Sequence, residues 1–74
     1  MIKKILEIVS AYVDAPNGTY DENTNFIDLG IDSLRMLKII IDVEKLFRVR
    51  FEDYEIADIK NALDIENFIS VKNQ

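Results

Sequence analysis

Seventy-four residues with nine basic and fourteen acidic side chains, a net charge of −5, read as one small acidic domain spanning 1–74. The absence of histidine and cysteine removes the usual general base, the usual metal ligand, any thiolate site and any disulfide framework. The acidic balance argues against nucleic-acid binding, and no apolar run approaches membrane-spanning length, which argues against a membrane role.

Met1-Ile2-Lys3-Lys4 begins in the manner of a signal peptide. Glu7, Ser10 and Asp14 interrupt the apolar run, and no small-residue cleavage site follows. The start therefore reads as that of a mature cytoplasmic protein. The first helix is expected over Ile2–Val13. Ile2, Ile5, Leu6, Val9, Tyr12 and Val13 recur at helical spacing, with Lys3, Lys4, Glu7, Ser10 and Asp14 opposite.

Asp14 to Asn25 reads as a long loop. Pro16, Asn17 and Gly18 break the helix, and Asn-Gly favours a turn. Asn17-Gly18-Thr19 matches a glycosylation sequon, which carries no weight without a secretory signal. Asp21, Asn23 and Asn25 fall on calcium-loop positions one, three and five. The sixth position needs glycine and is Phe26, and the twelfth needs glutamate and is Asp32, so calcium is rejected. Phe26, Ile27 and Leu29 are expected to pin the loop's end to the core.

The second helix is expected over Ser33–Phe47. Ile39-Ile40-Ile41 alone would suit a strand, but length and periodicity favour helix. Met36, Ile39, Ile40, Val43 and Phe47 share one face. Leu34, Leu37 and Ile41 form a second stripe, almost opposite, that must be covered or meet a partner. Phe51 is expected to plug the core. Glu52–Asp58 reads as a short helix with Tyr54, Ile56 and Ala57 inward, and Ile59 as an anchor. Asn61 caps the last helix, with Asp64 as a capping-box partner. Ala62, Ile65, Phe68 and Ile69 give its inner face, and residues from Val71 onward are expected to fray. Leu6, Ile40, Val43, Phe47 and Phe68 are expected to be buried together.

Charge is unevenly spread. Residues 33–50 carry Arg35, Lys38, Lys45, Arg48 and Arg50 against only Asp42 and Glu44, while the rest carries four basic and twelve acidic residues. That basic segment is a candidate partner-reading surface, although mixed charge also solvates any helix.

Asp32 and Ser33 stand where the second helical pattern begins. Either is a common N-cap, because its oxygen accepts from unpaired backbone N–H groups. A nucleophilic Ser33 is disfavoured. Gly30-Ile31-Asp32-Ser33-Leu34 lacks the second glycine of the hydrolase elbow, no histidine exists to deprotonate it, and Lys38 at five residues' spacing points away.

The run Phe26-Ile27-Asp28-Leu29-Gly30-Ile31-Asp32-Ser33-Leu34, followed by an apolar helix ending near Phe47, resembles the acyl and peptidyl carrier proteins, and the resemblance covers most of the chain. It implies an all-α fold: a small four-helix bundle of three main helices and one short one. It implies a stand-alone carrier, not an enzyme, that holds acyl or aminoacyl groups as thioesters. The cofactor implied is 4′-phosphopantetheine, covalently attached to Ser33, with Asp32 helping the attaching transferase hold its Mg²⁺. No metal site of the carrier's own is implied. The start of the second helix would be the docking surface, which places Leu34, Arg35, Leu37, Lys38 and Ile41 there. Implied partners are a phosphopantetheinyl transferase, an acyl- or aminoacyl-loading ligase and downstream transferases, acting on a monomer. Fatty-acid carriers present an acidic second helix. Arg35, Lys38 and Lys45 lean instead toward a specialised carrier for an aminoacyl, peptidyl or unusual acyl group. Two other readings remain open on the residues: a carrier-fold interaction module whose Ser33 is never modified, and an unrelated four-helix adaptor with an Asp-Ser cap.

Overall fold

The computed structural model describes residues 1–14 and 19–73, so the expected Asn17-Gly18 turn and the sequon that contains it lie outside the described residues. Four α-helices and one 3₁₀ turn follow in order: α1 (Ile2–Ser10), the turn Phe26–Leu29, α2 (Ser33–Phe47), α3 (Asp53–Ala57) and α4 (Ala62–Lys72), with no strand among the described residues. The all-α expectation holds, with the third helix short.

α1 packs against both α2 and α4. Ile5 and Val9 from α1, Ile39, Ile40 and Val43 from α2, and Ile65 and Ile69 from α4 make the dry centre. Phe26, Ile31, Phe51, Ile59 and Ala62 extend it. Of the five side chains expected to be buried together, Ile40 and Val43 are. Leu6, Phe47 and Phe68 only pack against the cluster, half-exposed. A domain this small lacks the depth to enclose large side chains from every helix.

Several local expectations are corrected. α1 ends at Ser10 rather than Val13. Ser10 Oγ donates to the Glu7 carbonyl at 2.6 Å, and the Ala11 and Tyr12 N–H groups bond three residues back, so the last turn tightens and stops. Tyr12 stays half-buried and donates its hydroxyl to Asp42 at 2.6 Å. Chiefly through that bond, its phenol is held above the ordinary value. Ile27 does not pin the loop, being 79% exposed. With three residues per 3₁₀ turn, Phe26 and Leu29 share the inner side and Ile27 faces out. Tyr54 is 72% exposed and Ala57 is exposed, leaving Ile56 to pack inward. Five helical residues present one side chain to the core, not three. α4 runs through Val71 to Lys72 instead of fraying. Lys72 Nζ bonds both oxygens of Glu55 at 2.8 and 2.9 Å and lies 5.2 Å from the Phe51 ring centre.

The long loop is stitched to the α3–α4 connection by two backbone bonds, Phe26 N–H to Lys60 and Leu63 N–H to Glu22. Asp21 and Asn25 serve as turn and cap acceptors, for Asn23 N–H and Ile27 N–H. Asn61 caps α4 through Asp64 N–H at 2.9 Å. Asp64 reaches back to Lys60 N–H, one residue earlier than a capping box would place it. α2 closes at Arg48, whose backbone is left-handed at φ 56° and whose N–H bonds to the Glu44 carbonyl.

Candidate functional site

Ser33 is the first residue of α2 and is exposed. Asp32 precedes it in extended backbone and caps the helix, its carboxylate accepting from Arg35 N–H at 2.9 Å. The Asp32 carbonyl takes the Met36 N–H. The N–H groups of Ser33 and Leu34 and the Ser33 hydroxyl have no partner among the described residues. A helix start with free N–H groups and a positive dipole end is favourable for an anion attached there.

The approach to Ser33 is shaped by Gly30, at φ 76°. An added Cβ there would lie 2.2 Å from an Asp14 carboxylate oxygen, so both the backbone and the space demand glycine. Arg35 holds this corner together. One nitrogen of its guanidinium donates to Asp14, to the Tyr12 carbonyl at 3.3 Å and to the Gly30 carbonyl at 3.2 Å. The hydrogen bond to Asp14, then that residue's charge, raises the guanidinium above its ordinary value. Arg35, expected on the docking surface, is thus turned inward as a clamp between the end of α1, the loop and the turn before Ser33.

A cavity of about 680 Å³ opens beside Ser33. Ile31, Met36 and Leu37 line it, as do Ile56 and Ile59 from the α3 side. Asp32 and Ser33 are in the lining too, and Asp53 and Lys60 add charge to it. Sequence spacing places Met36 on the apolar face of α2 and Ile56 inward, with Ile59 as an anchor, and does not announce a cavity. A side chain half on the core and half on a cavity carries the same apolar pattern as one wholly inside.

The remaining expected docking residues lie in the open. Leu34 is 61%, Leu37 48% and Ile41 47% exposed, and Lys38 is exposed beside them. No element of the described chain covers the second stripe.

The family model described as "Phosphopantetheine attachment site" matches residues 3–69, which contain every part of this site. The chain belongs to the acyl carrier protein family. Among curated proteins, the acyl carrier protein of Onion yellows phytoplasma (strain OY-M) is 30% identical over 71 residues, covering 95% of this chain and 93% of that one. The acyl carrier protein of Aster yellows witches'-broom phytoplasma (strain AYWB) is 28% identical over the same shares. Among solved structures, the crystal structure of an acyl carrier protein from Thermotoga maritima superimposes with a TM-score of 0.78 at 32% identity, covering 96% of this carrier and 84% of that chain. The family's cofactor is covalently bound phosphopantetheine. The exposed hydroxyl of Ser33, the free N–H groups around it and the apolar cavity at its side fit such a group.

Proposed function

We propose that this carrier bears 4′-phosphopantetheine on Ser33 and presents acyl or aminoacyl groups to partner enzymes, without being an enzyme itself. The observation that carries the reading is the exposed, unpartnered Ser33 hydroxyl at the start of α2, beside an apolar cavity and inside the matched family region. When bound, the group supplies a thiol on a long flexible tether, the handle for a thioester.

The chain's own residues do the rest. Ser33 Oγ displaces 3′,5′-adenosine bisphosphate from coenzyme A. The oxygen–phosphorus bond forms as the phosphoanhydride breaks, and the hydroxyl proton leaves to the transferase. Asp32 keeps the helix start in place through Arg35 N–H, and its second oxygen would be available to help hold the transferase's Mg²⁺. The N–H groups of Ser33 and Leu34, free among the described residues, would favour the phosphodiester's negative charge. The cavity offers apolar shelter to whatever lies along its walls. Partners in this reading are a phosphopantetheinyl transferase, a loading ligase and downstream transferases, meeting a cytoplasmic monomer. Leu34, Leu37, Lys38 and Ile41 are the candidates for contact with them.

Coenzyme A and a broad-specificity phosphopantetheinyl transferase should add one arm, read by intact mass, and Ser33→Ala should accept none. A wild-type protein left unmodified, beside a control carrier that is modified, would sink the reading. It would favour a carrier-fold interaction module.

A further inference from the structure

We infer that Arg35 is a positioning residue for arm attachment: it holds the backbone leading into Ser33 so that the hydroxyl is presented in one orientation. This rests on the reading of Ser33 as the attachment point. Arg35 acts on that approach from two directions. Its backbone N–H donates to the Asp32 carboxylate at 2.9 Å, and its side chain donates to the Gly30 carbonyl at 3.2 Å. Ile31, between the two, is buried and donates its N–H to the Phe26 carbonyl at 3.1 Å. One residue just beyond Ser33 thus grips both ends of the short segment that leads into it.

The same guanidinium nitrogen donates to the Tyr12 carbonyl at 3.3 Å and to Asp14. That ties the start of α2 to the chain leaving α1. The Tyr12 and Gly30 carbonyls have no other donor among the described residues. Stability is a poor account of this arrangement. The Arg35 and Asp14 side chains are 39% and 62% exposed, and an ion pair so open to water adds little to folding free energy. Its effect is on geometry. Displacement at phosphorus needs the attacking oxygen near and in line, and a misplacement of about 1 Å can slow a reaction about a hundredfold. The Ser33 hydroxyl has no partner of its own among the described residues. Its aim is inherited from the backbone on which Arg35 acts.

The test offers wild type, Arg35→Met, Arg35→Lys, Asp14→Ala and the Arg35→Met, Asp14→Ala double variant to a phosphopantetheinyl transferase with coenzyme A. Steady-state kinetics are read at a temperature where each variant is folded. Arg35→Met keeps the cap, which uses the backbone N–H, and removes the clamp. Its kcat should fall about tenfold, with the KM for the carrier little changed. The amide resonances of Gly30, Ile31 and Ser33 should move in the same variant before any arm is added. Arg35→Lys, one bond shorter but still cationic, should recover part of the rate. Asp14→Ala should act in the same direction by less. The double variant should be no slower than Arg35→Met alone, because both changes strike one contact. Wild-type kinetics in Arg35→Met would overturn the proposal, as would a rate loss that only follows the folded fraction by circular dichroism. A raised KM with unchanged kcat in the Arg35 variants, and no effect of Asp14→Ala, would mean that Arg35 touches the transferase itself and would overturn it too. The two readings fail in different ways. A wild-type protein that is never modified removes both. A modified wild type whose kinetics survive Arg35→Met keeps the carrier role and loses the positioning role alone.

Discussion

The middle and the start of α2 are built to different standards. The middle sends Ile39, Ile40 and Val43 into a centre with almost no exposure. The start, at an exposed Ser33, borders a cavity and leaves Leu34 in the open. Across that cavity stands α3, which has no buried residue. Buried Phe26, Ile31 and Ile59 pack at this end, and polar bonds add to them: the Asp32 cap and the Arg35 clamp. One helix thus carries its tightest packing in the middle and the exposed serine at its start. Free volume beside Ser33 would suit the modification proposed there, and free volume lowers stability wherever it sits.

The sharpest way to break this contrast is Val43→Ala. It removes two methyl groups from the packed middle and should destabilise the domain by about 1–3 kcal/mol, measured by chemical denaturation. Attachment of the arm to the folded variant should be unchanged. A near-neutral result would mean the middle and the start are packed alike. Gly30→Ala strikes the start. The left-handed backbone alone should cost about 1–2 kcal/mol, and the new methyl group must displace Asp14 and loosen the Arg35 clamp. The Arg35 side-chain resonance should move, and slower arm attachment should accompany the stability loss. Wild-type stability and an unmoved Arg35 signal would show that the corner is not held by close approach.

The smallest effect is expected from Lys72→Met. The Glu55 carboxyl is held below its ordinary value, first by the Glu52 N–H and then by Lys72. A lowered folded-state value stabilises the protein above the usual carboxylate range. That stabilisation is lost as pH falls through the range toward the folded value. The difference in melting temperature between wild type and Lys72→Met should therefore be present at neutral pH and shrink in acid. A gap that stays constant down to strongly acidic pH would mean that Lys72 acts through its ammonium on the Phe51 ring alone.

The sequence was most legible where structure is local. The start of α2, its Asp32 cap and its buried face follow from spacing within one helix, as does the Asn61 cap of α4. The exposed stripe of Leu34, Leu37 and Ile41 was legible for the same reason. What was missed depends on remote partners. The guanidinium of Arg35 meets Tyr12 and Asp14, twenty-three and twenty-one residues away, and no local pattern announces that. Lys72 stops the end of α4 from fraying through Glu55, seventeen residues back. Tyr54 and Ile27 were misplaced because short helical pieces have too few residues for periodicity to choose a face. The cavity stayed invisible because its walls are apolar, like a core.

Arg48 is the one non-glycine residue with a positive φ among the described residues. Helices commonly end on glycine in this conformation, and any other residue there loses about 1–2 kcal/mol. Some of that returns, because a cation beside the last carbonyls of a helix is worth about 0.3–1 kcal/mol. The balance is a deficit in heat tolerance. Arg48→Gly is therefore the substitution a protein engineer would choose first for thermostability.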